Sequence, residues 1–279
     1  MVFSDRGAEI QSLVFLRDQL ELIWQGDPAY WPDRSPLLFP AVGDWKDNHY
    51  IYEGHLYDMP LHGFARTSNF TVDLIGSDKA HLALTPNDEI RAIYPFEFTL
   101  DITYRLMANG LCVDQSVSNL SATVIPYSIG EHVGFRAPLF DAERYEDYYL
   151  EFEQAETAER YPLIGNRVLG APIKCLDKTK RIHLESDMFA NGAFNFRGLK
   201  SRNVTLGNNV NPYRINMSYA EFEYLSFWSV PGGRFVCIEP CNGAAASENE
   251  SYDIFKKDGI RLLRPGETHT FHYSISLNI

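Results

Sequence analysis

The chain has 279 residues, 45% of them apolar and 22% charged, a composition that argues for a globular protein and against a disordered or fibrous one. Lys and Arg number 25 against 37 Asp and Glu, giving a net charge of -12. That balance argues against binding that neutralises many phosphates, so neither nucleic acid nor an anionic membrane is an expected partner. No stretch approaches the ~18 uncharged apolar residues of a membrane span, and no basic segment followed by an apolar core opens the chain, so a cytoplasmic protein is expected. All-β chains of this size commonly fold as one unit, and no linker, low-complexity tract or repeat divides this one, so a single domain over residues 1–279 is expected.

In chain order, the first clear element is Thr85-Pro86-Asn87-Asp88-Glu89. A Thr N-cap, a Pro at the first helical position and acidic residues in the first turn predict a helix, kept short by Pro95. From Phe96 to Leu106 apolar and polar residues alternate strictly, as in a strand with one wet face. Asn109-Gly110 predicts a positive-φ hairpin turn, after which Leu111, Val113, Gln115 and Val117 resume the alternation. The same pattern recurs at Tyr148–Phe152, at Tyr213–Tyr219 and, after the Pro265-Gly266 turn, at Phe271–Leu277. The Ala-rich and then acidic segment from Asn242 to Ser251 reads as an exposed loop. Helical signals are few and aromatic residues make up 14% of the chain, so two large antiparallel sheets packed face to face are the economical architecture.

Cys112, Cys175, Cys237 and Cys241 are too few and too irregularly spaced for a disulfide scaffold or a two-pair zinc site. No metal is expected, including at Cys237 with Cys241, where Pro240 suits a strand ending. The five Asn-x-Ser/Thr sequons read as chance without a secretory signal. His269 and His272 are spaced oddly along a strand and so face opposite ways. His49, His55, His81 and His183 lie among polar or turn residues and read as surface groups.

Three residues stand apart. His62 sits in Leu61-His62-Gly63-Phe64-Ala65-Arg66, where a glycine permits close backbone approach and Phe64 offers a flat apolar face. His132 lies between Gly130 and Gly134 in a segment suited to a sheet rim. Glu239 follows the apolar run Phe235-Val236-Cys237-Ile238 and precedes Pro240. A carboxylate at the end of a buried strand is either paired or functional, because its unpaired burial is too costly.

Gly7-Ala8-Glu9-Ile10-Gln11-Ser12-Leu13, Leu22-Ile23-Trp24-Gln25-Gly26-Asp27, Ser35-Pro36-Leu37-Leu38-Phe39-Pro40, His62-Gly63-Phe64-Ala65-Arg66 and Cys237-Ile238-Glu239-Pro240 together resemble the aldose 1-epimerase (galactose mutarotase-like) family, in the subgroup associated with bacterial lactose and tagatose operons. The motifs fall in order along nearly the whole chain. The resemblance implies a large antiparallel β-supersandwich with few short helices and an isomerase that interconverts α and β anomers of an aldose or modified hexose. It implies no cofactor and a small-molecule sugar as partner, and it leaves open whether the chain forms a homodimer.

By the same resemblance His132 protonates the sugar ring oxygen, Glu239 removes the anomeric hydroxyl proton and His62 positions the ring. Asp187 loosely matches an aspartate that bonds sugar hydroxyls, while Phe64, Phe135 and Trp228 are wall candidates by type and proximity. A carboxylate beside the imidazole is expected to raise the histidine's pKa and favour a charged pair.

Two departures from the family pattern are visible. Gly43 is followed by Asp44 where an arginine is usual, and Glu131 precedes His132 where a glycine is usual. Lys46 or Arg66 are the candidates to restore the positive charge, and together they would be the basis for any preference for a phosphosugar. Asp44 and Glu131 also motivate the competing reading of a carbohydrate-binding or sensing protein without turnover. The chain opens six residues before the Gly-Ala-Glu motif, where the family normally carries a further strand.

Overall fold

In the computed structural model, which describes residues 1–165 and 168–279, strands account for 49% of residues and helices for 6%. The all-β, few-helix expectation therefore holds. The longest alternation in the sequence becomes Phe98–Met107, paired antiparallel with Gly110–Asn119 from Phe98↔Asn119 to Met107↔Gly110. That register makes Ala108 and Asn109 the turn residues, one position earlier than the Asn-Gly signal suggested. Gly110 instead opens the return strand, where a Cβ would lie 2.0 Å from the Ile275 carbonyl oxygen of the neighbouring strand. The predicted helix spans Asp88–Ile93, and its cap is Asn87, not Thr85. The Asn87 side-chain oxygen accepts the Ile90 N–H at 2.8 Å, which leaves Pro86 ahead of the cap.

The expected pair of separate sheets is one continuous sheet. Hydrogen bonds run unbroken through a 15-stranded antiparallel assembly from Leu37–Leu38 at one edge to Thr71–Leu74 at the other. A twisted sheet of so many strands curls, and here its ends share one core. Phe39, next to the first edge strand, lies 5.1 Å ring to ring from Phe98, on the third strand counted from the opposite edge. The enclosed core is rich in whole aromatic side chains, among them Tyr94, Phe96, Tyr127 and Phe152.

The longest strand of this sheet to be buried along its entire length is Phe235–Asn242. It is flanked by Tyr224–Trp228 on one side and by Ile129–Glu131 and Val133–Arg136 on the other. Alternation sends Val236 and Ile238 into the main core, while Phe235 and Cys237 pack with Trp24 on the opposite face. The segment after it departs from expectation: Asn242, Gly243, Ala244 and Ala246 are buried. The alanines lie against the segment containing Asp44, whose carbonyl accepts the Ala246 N–H at 2.8 Å. Ser247–Asn249 and Ser251 form the exposed part.

Glu131 points into the folded sheet. Its Oε2 accepts from Gln115 Nε2 at 2.5 Å, a bond that joins the second strand of the sheet path to the tenth. Its carboxyl group also faces the buried Tyr273 hydroxyl. Burial, and then the nearby charge of Glu9, push the Glu131 pKa well above the usual carboxylate range. In the unfolded chain this carboxyl ionises near its ordinary value, whereas the folded protein keeps it protonated. The folded state thus holds the extra proton, and stability falls as pH rises above ~4.5. Glu131→Gln, which keeps the shape and cannot ionise, should gain stability over the parent between about pH 5 and pH 8. Paired thermal melts across that range test this, and a pH-independent difference would remove the buried acid from the account.

Candidate functional site

The outward face of the central sheet forms the floor of a cleft. Cross-strand register sets Ser226 opposite Glu239 and Asn195 opposite Ser226, so three neighbouring strands each contribute one polar residue. Ser226 Oγ donates to Asn195 Oδ1 at 2.7 Å. The cleft measures about 680 Å³, within the range of small-molecule sites.

Strand register also explains why His132 meets Glu239, though 107 positions separate them in sequence. Gly130 pairs with Cys241, and Val133 pairs with Ile238. The same register puts His132 across from Glu239, on the cleft face, where directly opposed side chains lie close together. His132 Nε2 and Glu239 Oε1 are 3.4 Å apart but lack hydrogen-bond alignment, so Glu239 Oε1 is buried without a hydrogen-bond partner.

The walls around His132 are aromatic. Its ring lies 4.9 Å from Trp31, 5.5 Å from Trp228 and 5.8 Å from His62. This enclosure has an electrostatic consequence. Burial raises the Glu239 pKa to about 8, and burial, with the Arg66 charge adding to it, lowers that of His132 to about 3. The expected charged pair is therefore corrected: taking both groups out of water favours a protonated carboxyl beside a neutral imidazole.

His62 is fixed by its backbone. It adopts φ +63 and is followed by Gly63 at φ +76, where a Cβ would fall 2.2 Å from the Phe39 carbonyl oxygen. A left-handed histidine persists only where its surroundings hold it. The Gly43 N–H donates to His62 Nδ1 at 3.1 Å, which assigns the ring proton to Nε2 and makes that atom a donor. Burial first, then the His132 and Arg66 charges, keep the ring neutral by lowering its pKa well below the ordinary value.

Charged residues ring the cleft. Arg66 pairs with Asp33, Arg197 pairs with Asp258 at 3.2 Å, and Asp44 also lines the wall. Glu9 of the Gly-Ala-Glu motif lies behind this wall. Its Oε1 accepts the backbone N–H groups of Arg34 at 2.7 Å and Ser35 at 3.0 Å, which anchors the segment carrying Trp31 and Asp33.

Six of the sequence candidates, His62, His132, Glu239, Asp44, Arg66 and Trp228, converge on this cleft, and three do not. Phe64 is a core residue packed among Phe39, Tyr94 and Phe98, because the tight turn at Gly63 directs the chain inward after His62. Phe135 is fully buried on the strand beside Val236. Asp187 sits exposed on a turn whose following residues, Phe189 and Ala190, reach the cleft instead. Lys46 turns away to the Glu250 carbonyl and the Tyr252 ring, so of the two proposed replacement cations only Arg66 lines the site. Glu131 faces the core and leaves the cleft untouched. The remaining histidines lie outside it: His272 pairs with Asp114 at 2.7 Å, while His269 meets the Tyr127 hydroxyl at 2.9 Å.

Trp31, Asp33, Asn195, Ser226 and Arg197 were not anticipated. Asn195 and Ser226 could have been found only from strand register, because nothing local distinguishes them from other polar strand residues. Trp31 stood in Tyr30-Trp31-Pro32-Asp33, a loop whose pairing of aromatic and acidic residues was the available signal.

The comparisons with known proteins agree with this geometry. The chain is 30% identical to protein LacX (chromosomal) of Lactococcus lactis subsp. lactis, over 99% of this chain and 95% of that protein. It is similar to a galactose mutarotase related enzyme from Lactobacillus acidophilus, with 31% identity, a TM-score of 0.94, and coverage of 99% of this chain and 93% of that one. A galactose mutarotase-like protein from Lactobacillus casei ATCC 334 superimposes with a TM-score of 0.90 at 28% identity, covering 99% and 96% of the two chains. The family model for aldose 1-epimerase matches residues 1–276. A sheet folded over on itself, a cleft on its outer face and a match across nearly the full length place the chain in the aldose 1-epimerase family.

Proposed function

We propose that the protein interconverts the α and β anomers of an uncharged aldose, with His132 and Glu239 exchanging the protons and His62 holding the ring. The observation that carries this reading is the 3.4 Å contact between a buried imidazole and a buried carboxyl at the floor of an open cleft. Anomer exchange needs one proton removed from the C1 hydroxyl and one delivered to the ring oxygen. Both oxygens are bonded to C1, so two adjacent groups on one side of the sugar can serve both.

The pair needs only one proton for this work. With the proton on Glu239 both groups are neutral, the arrangement that burial favours. Transfer to His132 gives the charged tautomer. Its carboxylate takes the C1 hydroxyl proton while the imidazolium protonates the ring oxygen, the C1–O5 bond breaks and C1 becomes an aldehyde. Rotation about C1–C2 and the reverse transfers close the ring as either anomer, so the cycle has no net proton uptake. His62, a donor through Nε2, is placed to bond a sugar oxygen, and Trp31 and Trp228 offer apolar faces to the C–H surface of the ring. Both arginines among the described cleft residues already face carboxylates, which supports a neutral sugar over a phosphorylated one.

Polarimetry of freshly dissolved α-aldoses is the direct test. The protein should accelerate the approach to equilibrium, and Glu239→Gln should cost ~10²–10⁴ in rate while sugar still raises the melting temperature. Sugar-dependent stabilisation of the parent without any acceleration would select the binding-only reading instead, to which Asp44 in the cleft wall gives some weight.

The pH profile follows from the same pair. Above about 8 Glu239 loses its proton, the pair holds none, and both working tautomers disappear. Catalysed kcat/KM should therefore be level through neutral pH and fall as pH passes about 8. Background-corrected rates that keep rising through that range would contradict the assignment of the proton to this pair.

A further inference from the structure

We infer that His132, Cys237 and Glu239 form a binding site for a thiophilic divalent cation such as Zn2+, and that occupancy blocks the cleft. The three side chains each offer one donor atom, all within 4.8 Å of one another, and His132 Nε2 and Glu239 Oε1 already stand at 3.4 Å. Tetrahedral zinc with ligands at about 2.0–2.3 Å needs donor separations of roughly 3.5 Å, so side-chain rotation of about 1 Å closes the set. Cys241 is not the partner of Cys237 in this cluster. The strand instead supplies Cys237 and Glu239 two positions apart on one face, and the register adds His132 from the neighbouring strand.

Two further observations point to a ligand. Glu239 Oε1, which faces His132 Nε2, is buried without a hydrogen-bond partner, although buried polar atoms are ordinarily satisfied. The donor set also matches the setting electrostatically. A thiolate, a carboxylate and a neutral imidazole around a divalent cation carry no net charge, which this water-poor pocket between Trp31, Trp228 and Phe235 tolerates better than an isolated ion. Cys237 lies beneath the floor, whereas His132 and Glu239 line the cleft, so the fourth coordination position opens toward the sugar's place. Binding displaces the thiol proton and the single proton of the pair to solvent. It thereby removes both groups that the proposed reaction needs, and the inhibition, though not the site, rests on that proposal.

Cobalt supplies a readout independent of turnover. Metal-stripped protein titrated with Co2+ should develop the near-ultraviolet band of a cobalt–thiolate bond, which added Zn2+ abolishes. The band should vanish in Cys237→Ser and persist in Cys241→Ser. Absence of the band in the parent, or its survival in Cys237→Ser, overturns the site. In polarimetry micromolar Zn2+ should suppress the rate, a chelator should restore it, and Cys237→Ser should weaken inhibition at least ~10-fold relative to its own uninhibited rate. A stripped enzyme that requires Zn2+ for turnover overturns the inhibitory role. A stripped parent with no turnover at all removes the mutarotase reading and with it the inhibition, while the cobalt spectrum still decides the site. Should Cys237→Ser fail to fold, Glu239→Gln must weaken Co2+ binding at least ~10-fold, and an unchanged affinity overturns the inference.

Discussion

The cleft depends on one strand that buries both of its faces. Phe235–Asn242 has no wet side, so every residue on it is either packed or presented to an enclosed site. Val236 and Ile238 hold it to the main core, and strands on both flanks use its backbone hydrogen bonds. A carboxylate at Glu239 is tolerated there only because it keeps a proton or finds a partner. The same burial that anchors this strand raises the pKa of its one acidic residue. Precision follows as well, because the His132–Glu239 contact is set by the pairing register, not by a flexible loop.

Desolvation then does most of the electrostatic tuning. Glu239 is shifted by burial, and in His132 burial, reinforced by the Arg66 charge, outweighs a backbone hydrogen bond that favours the protonated ring. A neutral histidine and a protonated carboxyl hold the same number of protons as an imidazolium and a carboxylate, so the pair can move between the two at constant charge. Arg66 disfavours the imidazolium, which keeps the charged tautomer a minor species in the resting protein. In the proposed reaction such an arrangement would suit the entry of one proton into the substrate as another leaves. His62, neutral and donating through Nε2, adds direction without adding charge.

Much of the fold could be read from sequence because its signals are local. Alternation over Phe96–Leu106 depends only on which residues face the core, and it survived with a one-residue shift in the turn. The shift itself was not readable: Gly110 has the composition of a turn residue, but its place is fixed by the Ile275 carbonyl of a strand over 160 positions away. The unbroken sheet was hidden for the same reason, since alternation reports faces and not the order of strands. The site divided along similar lines. His132, Glu239 and His62 stood out by resemblance and by anomalous setting, whereas Asn195 and Ser226 enter the cleft through pairings between distant segments. Phe64 and Phe135 were misjudged because proximity in sequence to a cleft residue says little in a strand or tight turn, where the next side chain points the other way.

The two departures from the family pattern have unequal weight once they are placed in space. Glu131 is adjacent to His132 in sequence and on the opposite face of the sheet, where it bonds Gln115 and braces the fold between its layers. Its effect is on stability, and it says little against turnover. Asp44 lines the cleft itself. Arg66 reaches the same cleft, but it pairs with Asp33 and lowers the pKa of His132, so it already serves the site in another way. In the proposed reading an acceptor at residue 44 suits a hydroxyl donor on the sugar where a guanidinium would have suited an acceptor. That is a change in which oxygen is held and from which side, made without moving the acid–base pair, and it places any difference from the rest of the family in substrate choice before it places it in chemistry.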